Sequence, residues 1–405
     1  MPKTVRFYTL GCKVNQYDSE AMLEAFLRHG YVLAPRGKPA DVTVVNTCTV
    51  TGTGDKKSLQ AARRFRRQNP AGELVLAGCL AQRLGKELLD TGARLIIGTQ
   101  HRARVVELLE RAVADDTRLV AVDGLQGAPF EPLSICAHAG HTRAVMKIQE
   151  GCDNRCAYCI IPSVRGGIRS RPVEAVRAEA QALADAVRAV HGVAGVKRIR
   201  LGSLEPAVVT EAFVRAAGEL PKLCPQFHLA LQSGSDTVLQ RMRRRYNTAQ
   251  YRAAAQRLLA AFPDASFTTD VIVGFPGETE AEFAQTTAFC REIGFLKLHV
   301  FPFSPREGTE AAQMDGQVPE AVKAERVRRL IAVGQELSAA YRAKLLGTVK
   351  PVLLEERGAD GAWNGYTPQY VHVACKGGGA GRIVPVRLTA LTGAGMAGEP
   401  VETML

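Results

Sequence analysis

The sequence predicts an α/β protein in three parts: an N-terminal open parallel sheet, a central partial βα barrel and a small C-terminal antiparallel β-barrel. Three observations lead there. Through residue 97, apolar strand-like runs alternate with amphipathic helical stretches, the pattern of a parallel open sheet. From about 142 to 345 the alternation continues, with polar motifs at the strand ends, where a βα barrel places its active site. After 350, short β-like runs are split by glycine turns, as in a small barrel. The expected domains are 1–115, 142–345 and 346–405, with a linker over 116–141 that is irregular and rich in Gly, Pro and His.

The chain has 405 residues, 46% of them apolar, a length that suits two or three domains. MPKTVRFYTLGC lacks the apolar core of a signal peptide, and no apolar run reaches the length of a membrane span. The expectation is a cytoplasmic protein without a membrane partner. Ten cysteines in that setting point to metal binding rather than disulfides. A net charge of +12 favours a polyanionic partner such as nucleic acid.

Taken in order, residues 4–11 read as a strand ending at Cys12, and 18–30 as an amphipathic helix with Met22, Ala25 and Phe26 on one face and Gly30 at its end. Residues 41–47 form a second strand ending at Cys48. A basic helix follows, then a third strand, 73–78, ending at Cys79, and a fourth near 94–97. In open α/β sheets ligands bind beyond the carboxyl ends of the strands, so Cys12, Cys48 and Cys79 would converge on one edge. They suit a metal site; the competing role is that of small buried hydrophobes. In the basic helix, KKSLQAARRFRR (56–67), helical spacing puts Lys56, Arg63 and Arg67 on one side, near Arg64. That side is either a phosphate contact or a solvated face.

Residues 143–149 alternate as a strand and lead into GCDNRCAYC (151–159), a loop with Cys152, Cys156 and Cys159 in CxxxCxxC spacing. Three local thiolates suit an iron–sulfur cluster with one iron left open, or a zinc site closed by a distant fourth ligand. Arg165, Arg169 and Arg171 follow in SVRGGIRSRP (163–172) and could steer phosphates. Beyond a helix over 173–191, strands are expected at 197–203, 226–231, 267–273 and 296–302, with helices at 247–262, 279–293 and 318–345. Among the strand-end motifs GSLEP, LQSGSD, TDVIVGFPGE and FPFSPREGT, the polar candidates are Glu205, Gln232, Ser233 and Asp270. Each could equally cap a helix or shape a turn.

The terminal stretch 350–405 carries equal numbers of acidic and basic side chains. Any nucleic-acid affinity there would come from Trp363, Tyr366 or Tyr370 stacking on bases; otherwise these rings fill a small core. Cys224, Cys290 and Cys375 are expected to pack as apolar residues, and Cys136 has no assigned role.

The cysteine loop resembles the signature of radical S-adenosylmethionine (SAM) enzymes. GCKVNQYDSE (11–20), NTCTV (46–50) and GCLAQ (78–82) resemble the N-terminal domain of methylthiotransferases, and the likeness runs through nearly the whole chain. It implies two [4Fe–4S] clusters, one held by Cys152, Cys156 and Cys159, the other, auxiliary, by Cys12, Cys48 and Cys79. In the family the open iron of the first chelates SAM, and an electron from it releases a 5′-deoxyadenosyl radical. Tyr158 matches the aromatic position near the SAM adenine. Glu205, Gln232, Ser233 and Asp270 become candidate SAM or substrate contacts. GCKVNQYDSE is similar to the subgroup acting on N6-threonylcarbamoyladenosine beside the anticodon of tRNA. A tRNA partner, an electron donor and a sulfur source follow. The terminal region resembles the TRAM domain, an RNA-binding module. One departure stands out: the family's partial barrel has six strands and this segment shows five. The helix at 173–191 runs almost directly into the strand at 197, so one βα unit is missing. Two further readings keep a place: methylthiolation of another tRNA adenosine or a ribosomal protein, and a metal-containing RNA-binding protein without turnover.

Overall fold

The computed structural model describes residues 2–35, 37–131, 133, 147, 149–170, 196–393 and 395–401. Contacts divide the chain into two compact units, Met1–Ala175 with Ser304–Ala312, and Val176–Phe303 with Gln313–Leu405.

The first unit is built on a six-stranded sheet. Its strands are β1 (Thr4–Thr9), β2 (Val32–Leu33), β3 (Val42–Thr47), β4 (Glu73–Gly78), β5 (Leu95–Ile97) and β6 (Leu119–Ala121), in the order β2-β1-β3-β4-β5-β6. Every neighbouring pair is parallel. Parallel sheets need cover on both faces, and β3 is buried at every position. Val44 and Val75 pack with Met22 and Phe26 of helix α1 (Lys13–Arg28) and with Val105 and Leu109 of a later helix. Val45, Leu74 and Leu76 pack on the opposite side with Ala61 and Ala62 of helix α2 (Gly52–Gln68). Each fully buried aliphatic side chain of this kind contributes about 1.5–3 kcal/mol. Strand β6 lies within the stretch read as a linker; it is short and only half-buried, and its period is too brief to register in the sequence.

In the same unit, β7 (Gln149–Glu150) pairs antiparallel with β8 (Arg169–Ser170), bracketing the cysteine loop and the short helix Ile161–Arg165. Most of the strand expected at 143–149, the helix expected at 173–191, Cys136 and Arg171 lie outside the described residues.

The second unit holds a parallel sheet in the order β12-β11-β10-β9: Lys297–Pro302, Ser266–Val273, Gln226–Leu229 and Ser203–Leu204. Only the end of the expected 197–203 run is a strand; Ile199 makes an isolated bridge to Leu223. The helices Thr248–Ala261 and Glu280–Ile293 both begin with reciprocal capping boxes, Asn247 with Gln250 and Thr279 with Glu282. Phe227, Leu229, Phe267 and Val271 join Tyr251, Leu258, Phe289 and Leu330 in one core. Five further strands, Val349–Arg357, Trp363–Tyr366, His372–Cys375, Ile383–Leu391 and Met396–Pro400, close into a barrel. Val352, Leu354, Val373, Val386, Leu388 and Met396 fill it. Cys224, Cys290 and Cys375 are buried, as expected of packing residues.

Candidate functional site

Strands β1, β3 and β4 are consecutive in the sheet and parallel, so their carboxyl ends share an edge. Thr47 pairs with Gly78, which places Cys48 and Cys79 one step beyond a matched pair. Cys12 follows β1 by the turn Leu10–Gly11, and its exposed side chain stands at the N-cap of α1. The two Gly-Cys pairs have a steric cause. Gly11 has φ +100°, and a Cβ there would come within 2.9 Å of Cys48 Cβ and 3.0 Å of its sulfur. Gly78 has φ +94°, and a Cβ would meet Asn46 Oδ1 at 2.3 Å and the Thr47 carbonyl at 2.6 Å. Burial raises the thiol pKa of both Cys48 and Cys79, and their proximity to Cys12 adds to it.

The other triad is local. Cys152 N–H donates to the Gly166 carbonyl at 3.1 Å, and Cys159 N–H to the Cys156 carbonyl at 3.0 Å. Ala311 N–H donates to the Ala157 carbonyl at 2.8 Å, while Arg306 Nη2 donates to Asp55 at 2.7 Å and Thr49 Oγ1 at 2.9 Å. The segment Ser304–Ala312 therefore touches both the cysteine loop and the chain just after Cys48.

A buried ionic cluster joins α1 to the residue before the cysteine loop and to Cys79. Arg102 Nη1 donates to Asp18 at 2.7 Å, its Nη2 to Glu150 at 2.9 Å and its Nε to Glu131 at 2.8 Å. Lys147 Nζ reaches Asp18 at 2.7 Å and Glu150 at 3.2 Å. Arg165 donates from Nε to Cys79 Sγ at 3.2 Å and from Nη2 to Asn15 Oδ1 at 2.6 Å. Its Nη1 donates to Glu150 Oε1 at 2.5 Å, and Asp18 Oδ2 accepts at 3.2–3.3 Å. Burial alone would raise the Asp18 pKa; Arg102, Arg165 and Lys147 outweigh it and hold the carboxyl well below the usual range. Sequence reasoning missed this cluster. A signal was present: Asn15, Asp18 and Met22 share one face of α1, so two polar groups interrupt a stripe that faces the core.

This corrects the reading of Arg165 and Arg169 as phosphate-steering groups. Arg165 is 4% exposed and committed to the cluster; Arg169 is also largely covered and donates to the Arg165 carbonyl at 2.7 Å. On α2, Lys56, Arg63, Arg64 and Arg67 are exposed, with Arg64 stacked over Phe65 and Tyr8.

Tyr158 is half-buried in the cysteine loop. In the second unit, Glu205 accepts from Arg244 at 2.6 and 2.8 Å. Ser233 is fully buried, its hydroxyl paired with Thr286 at 3.1 Å and accepting from Ser235 N–H, which is a turn-forming role. Gln232 has φ +65° and its backbone brackets β11 through the Asp270 carbonyl and Ile272 N–H. Asp270 lies beside two groups the sequence reading did not single out. His228 Nε2 is 3.5 Å from Asp270 Oδ2, and His228, Asp270 and His299 hold their ligand atoms within 4.8 Å of one another. They sit on adjacent strands, on the sheet face opposite Phe227, Val271 and Leu298. In the barrel, Tyr366 stacks on Tyr370 at 4.5 Å, Arg200 covers Tyr370 at 4.0 Å, and Trp363 packs against the core. For Trp363 the packing role holds.

Among the described residues, His228, Asp270 and His299 bring their donor atoms within 4.8 Å of one another. Three thiolates with no fourth protein ligand beside them suit an iron–sulfur cluster with one iron left open, and the N-termini of α1 and α2 favour its negative charge.

The sheet and the CxxxCxxC loop define a radical SAM protein, and comparison agrees. Residues 195–290 match the Radical SAM superfamily, and residues 4–98 match the uncharacterized protein family UPF0004. The fold is shared with the radical S-adenosylmethionine methyltransferase TsrM from Kitasatospora setae, solved with cobalamin and a [4Fe-4S] cluster, at TM-score 0.52 and 13% identity over 77% of each chain. The threonylcarbamoyladenosine tRNA methylthiotransferase MtaB of Bacillus subtilis is 40% identical over 421 positions, covering 95% of this chain and 93% of the relative. The Thermotoga maritima MtaB is 34% identical, covering 97% and 96%. A tRNA-2-methylthio-N(6)-dimethylallyladenosine synthase of Parafrankia sp. is 38% identical, covering 86% and 78%. The chain belongs to the radical SAM methylthiotransferase family. That membership brings a [4Fe–4S] cluster and SAM. The 421 aligned positions exceed the 405 residues of the chain, so the Bacillus relative carries residues that this chain lacks. No described helix is long and apolar enough to cross a membrane.

Proposed function

We propose that the protein adds a methylthio group to the adenine ring of N6-threonylcarbamoyladenosine in tRNA. The observation that carries this reading is the presence, in one compact unit, of three strand-end cysteines and a CxxxCxxC loop, in a chain alignable with MtaB over nearly its whole length. Cys152, Cys156 and Cys159 would hold the SAM-binding cluster, and Cys12, Cys48 and Cys79 a second one. When bound, the first cluster supplies the electron that splits SAM, and so the radical chemistry an unactivated ring C–H demands. The chain's own part is to bind and orient. Tyr158 would lie against the SAM adenine, and Asp270, which shares a sheet face with His228 and His299, stays a candidate SAM or substrate contact. Ser233 contributes the fold of its turn, and Glu205 acts while paired with Arg244. An electron donor and a sulfur source complete the set of partners.

The residues that MtaB carries beyond this chain would include the βα unit that the sequence reading finds missing near 185–190. Inserting a family-type strand–loop–helix there should raise SAM turnover; equal turnover by both forms places the deficit elsewhere. The function itself is tested by mass spectrometry of tRNA nucleosides from cells lacking the gene. The 2-methylthio form of threonylcarbamoyladenosine should vanish while the unmodified nucleoside accumulates. An unchanged methylthio signal rejects the assignment.

A further inference from the structure

We propose that Arg165 is a positioning residue for the auxiliary cysteine site, tuning how readily a cluster there accepts an electron. This rests on reading Cys12, Cys48 and Cys79 as cluster ligands.

The sequence offers Arg165 only as one of several arginines after the cysteine loop. The structure gives it a different place. It ends the short helix Ile161–Arg165 that follows Cys159, yet its Nε is 3.2 Å from the sulfur of Cys79 in another part of the sheet edge. Its remaining donors link, through Asn15 and Glu150, to the segments that carry the other two cysteines and to the loop. Nη2 donates to Asn15 Oδ1 at 2.6 Å, and Asn15 Nδ2 in turn donates to the carbonyls of Leu10 at 2.7 Å and Thr47 at 2.9 Å. Those carbonyls belong to the turn before Cys12 and to the residue before Cys48. Nη1 donates to Glu150, which precedes Gly151 and Cys152. One guanidinium thus holds all three strand-end cysteine segments and the start of the CxxxCxxC loop. A lysine, with a compact ammonium, cannot make this planar fork.

Two electrostatic effects then act in one direction. A cationic N–H donor on a ligand sulfur draws charge from it, and hydrogen bonds to sulfur are among the levers that set iron–sulfur potentials. In addition, Arg165 is one of four cations, with Arg102, Lys147 and Arg169, that face Asp18, Glu150 and Glu131, and it is the one hydrogen-bonded to a cysteine sulfur. Removing Arg165 would take positive charge from directly beside the site. Both effects make reduction harder once Arg165 is lost.

The test uses the full chain in a Cys156→Ala background, so that the auxiliary site alone binds iron. Parent and Arg165→Gln are reconstituted anaerobically and titrated reductively, with the reduced cluster read by electron paramagnetic resonance. At the potential where the parent is half reduced, the ratio of reduced to oxidised cluster in Arg165→Gln should fall about tenfold, a shift of about 59 mV for one electron. An unchanged ratio in an iron-replete variant overturns the proposal and leaves Arg165 a packing residue. Should the variant fail to hold iron, the parent labelled with ¹⁵N-arginine decides: a nitrogen hyperfine coupling to the reduced cluster is expected, and its absence also overturns the proposal. A parent that takes up no iron in this background is a different outcome, since it rejects the cysteine assignment and the proposal with it.

Discussion

Cys152, Cys156 and Cys159 lie on one loop, whereas Cys12, Cys48 and Cys79 come from three strands and meet only because β1, β3 and β4 are neighbours in a parallel sheet. The local triad depends on short turns, such as the Cys159 to Cys156 hydrogen bond. The dispersed triad depends on strand register, on two glycines that admit close approach, and on a buried ionic cluster. A local site tolerates distant damage. A dispersed one should fail when any part of its frame shifts.

The sharpest way to break this comparison is to remove one thiolate from each triad. Too few ligands then remain to hold a cluster. Cys156→Ala should abolish reductive SAM cleavage and all product. Cys48→Ala should keep deoxyadenosine release measurable while methylthiolation disappears. Each should lose about four iron atoms per chain, the content of one cubane. Methylthiolated tRNA from Cys48→Ala at the parent rate would return those three cysteines to packing roles.

Next in size is the ionic cluster. Asp18→Asn removes one carboxylate from among Arg102, Lys147 and Arg165. Leaving buried cations uncompensated should cost about 3–5 kcal/mol, read from denaturant unfolding of the iron-free protein. A loss under about 1 kcal/mol would mean that the cluster is hydrated and electrostatically slack.

Gly78→Ala probes the frame more gently. Positive φ and a collision with the Thr47 carbonyl should cost about 1–3 kcal/mol. The variant should lose iron from the strand-end site while SAM cleavage persists; equal loss of both activities would show that the triads are not independent. The smallest effect belongs to the exposed face of α2. Replacing Arg63 and Arg67 together should flatten the logarithmic salt slope of tRNA binding by about one to two. An unaltered slope makes that face merely solvated.

What the sequence determined by itself is what is encoded over short range. Alternating apolar residues set the strands, helical spacing and caps set the helices, and CxxxCxxC set the loop chemistry, because each depends on neighbours a few residues away. Even the convergence of Cys12, Cys48 and Cys79 was legible, since parallel strands share one edge. Tertiary structure decided the rest. The same arginine-rich stretch, SVRGGIRSRP, reads as phosphate-steering in sequence, yet Arg165 is buried on Asp18 and Glu150. Charge in a sequence carries no record of burial; only packing of α1, β7 and the loop helix fixes which arginine meets a carboxylate and which meets water. Likewise His228, Asp270 and His299, isolated in the chain, become neighbours through the register of β10, β11 and β12. Strand register is set by the hydrophobic face as a whole, and no local motif announces it.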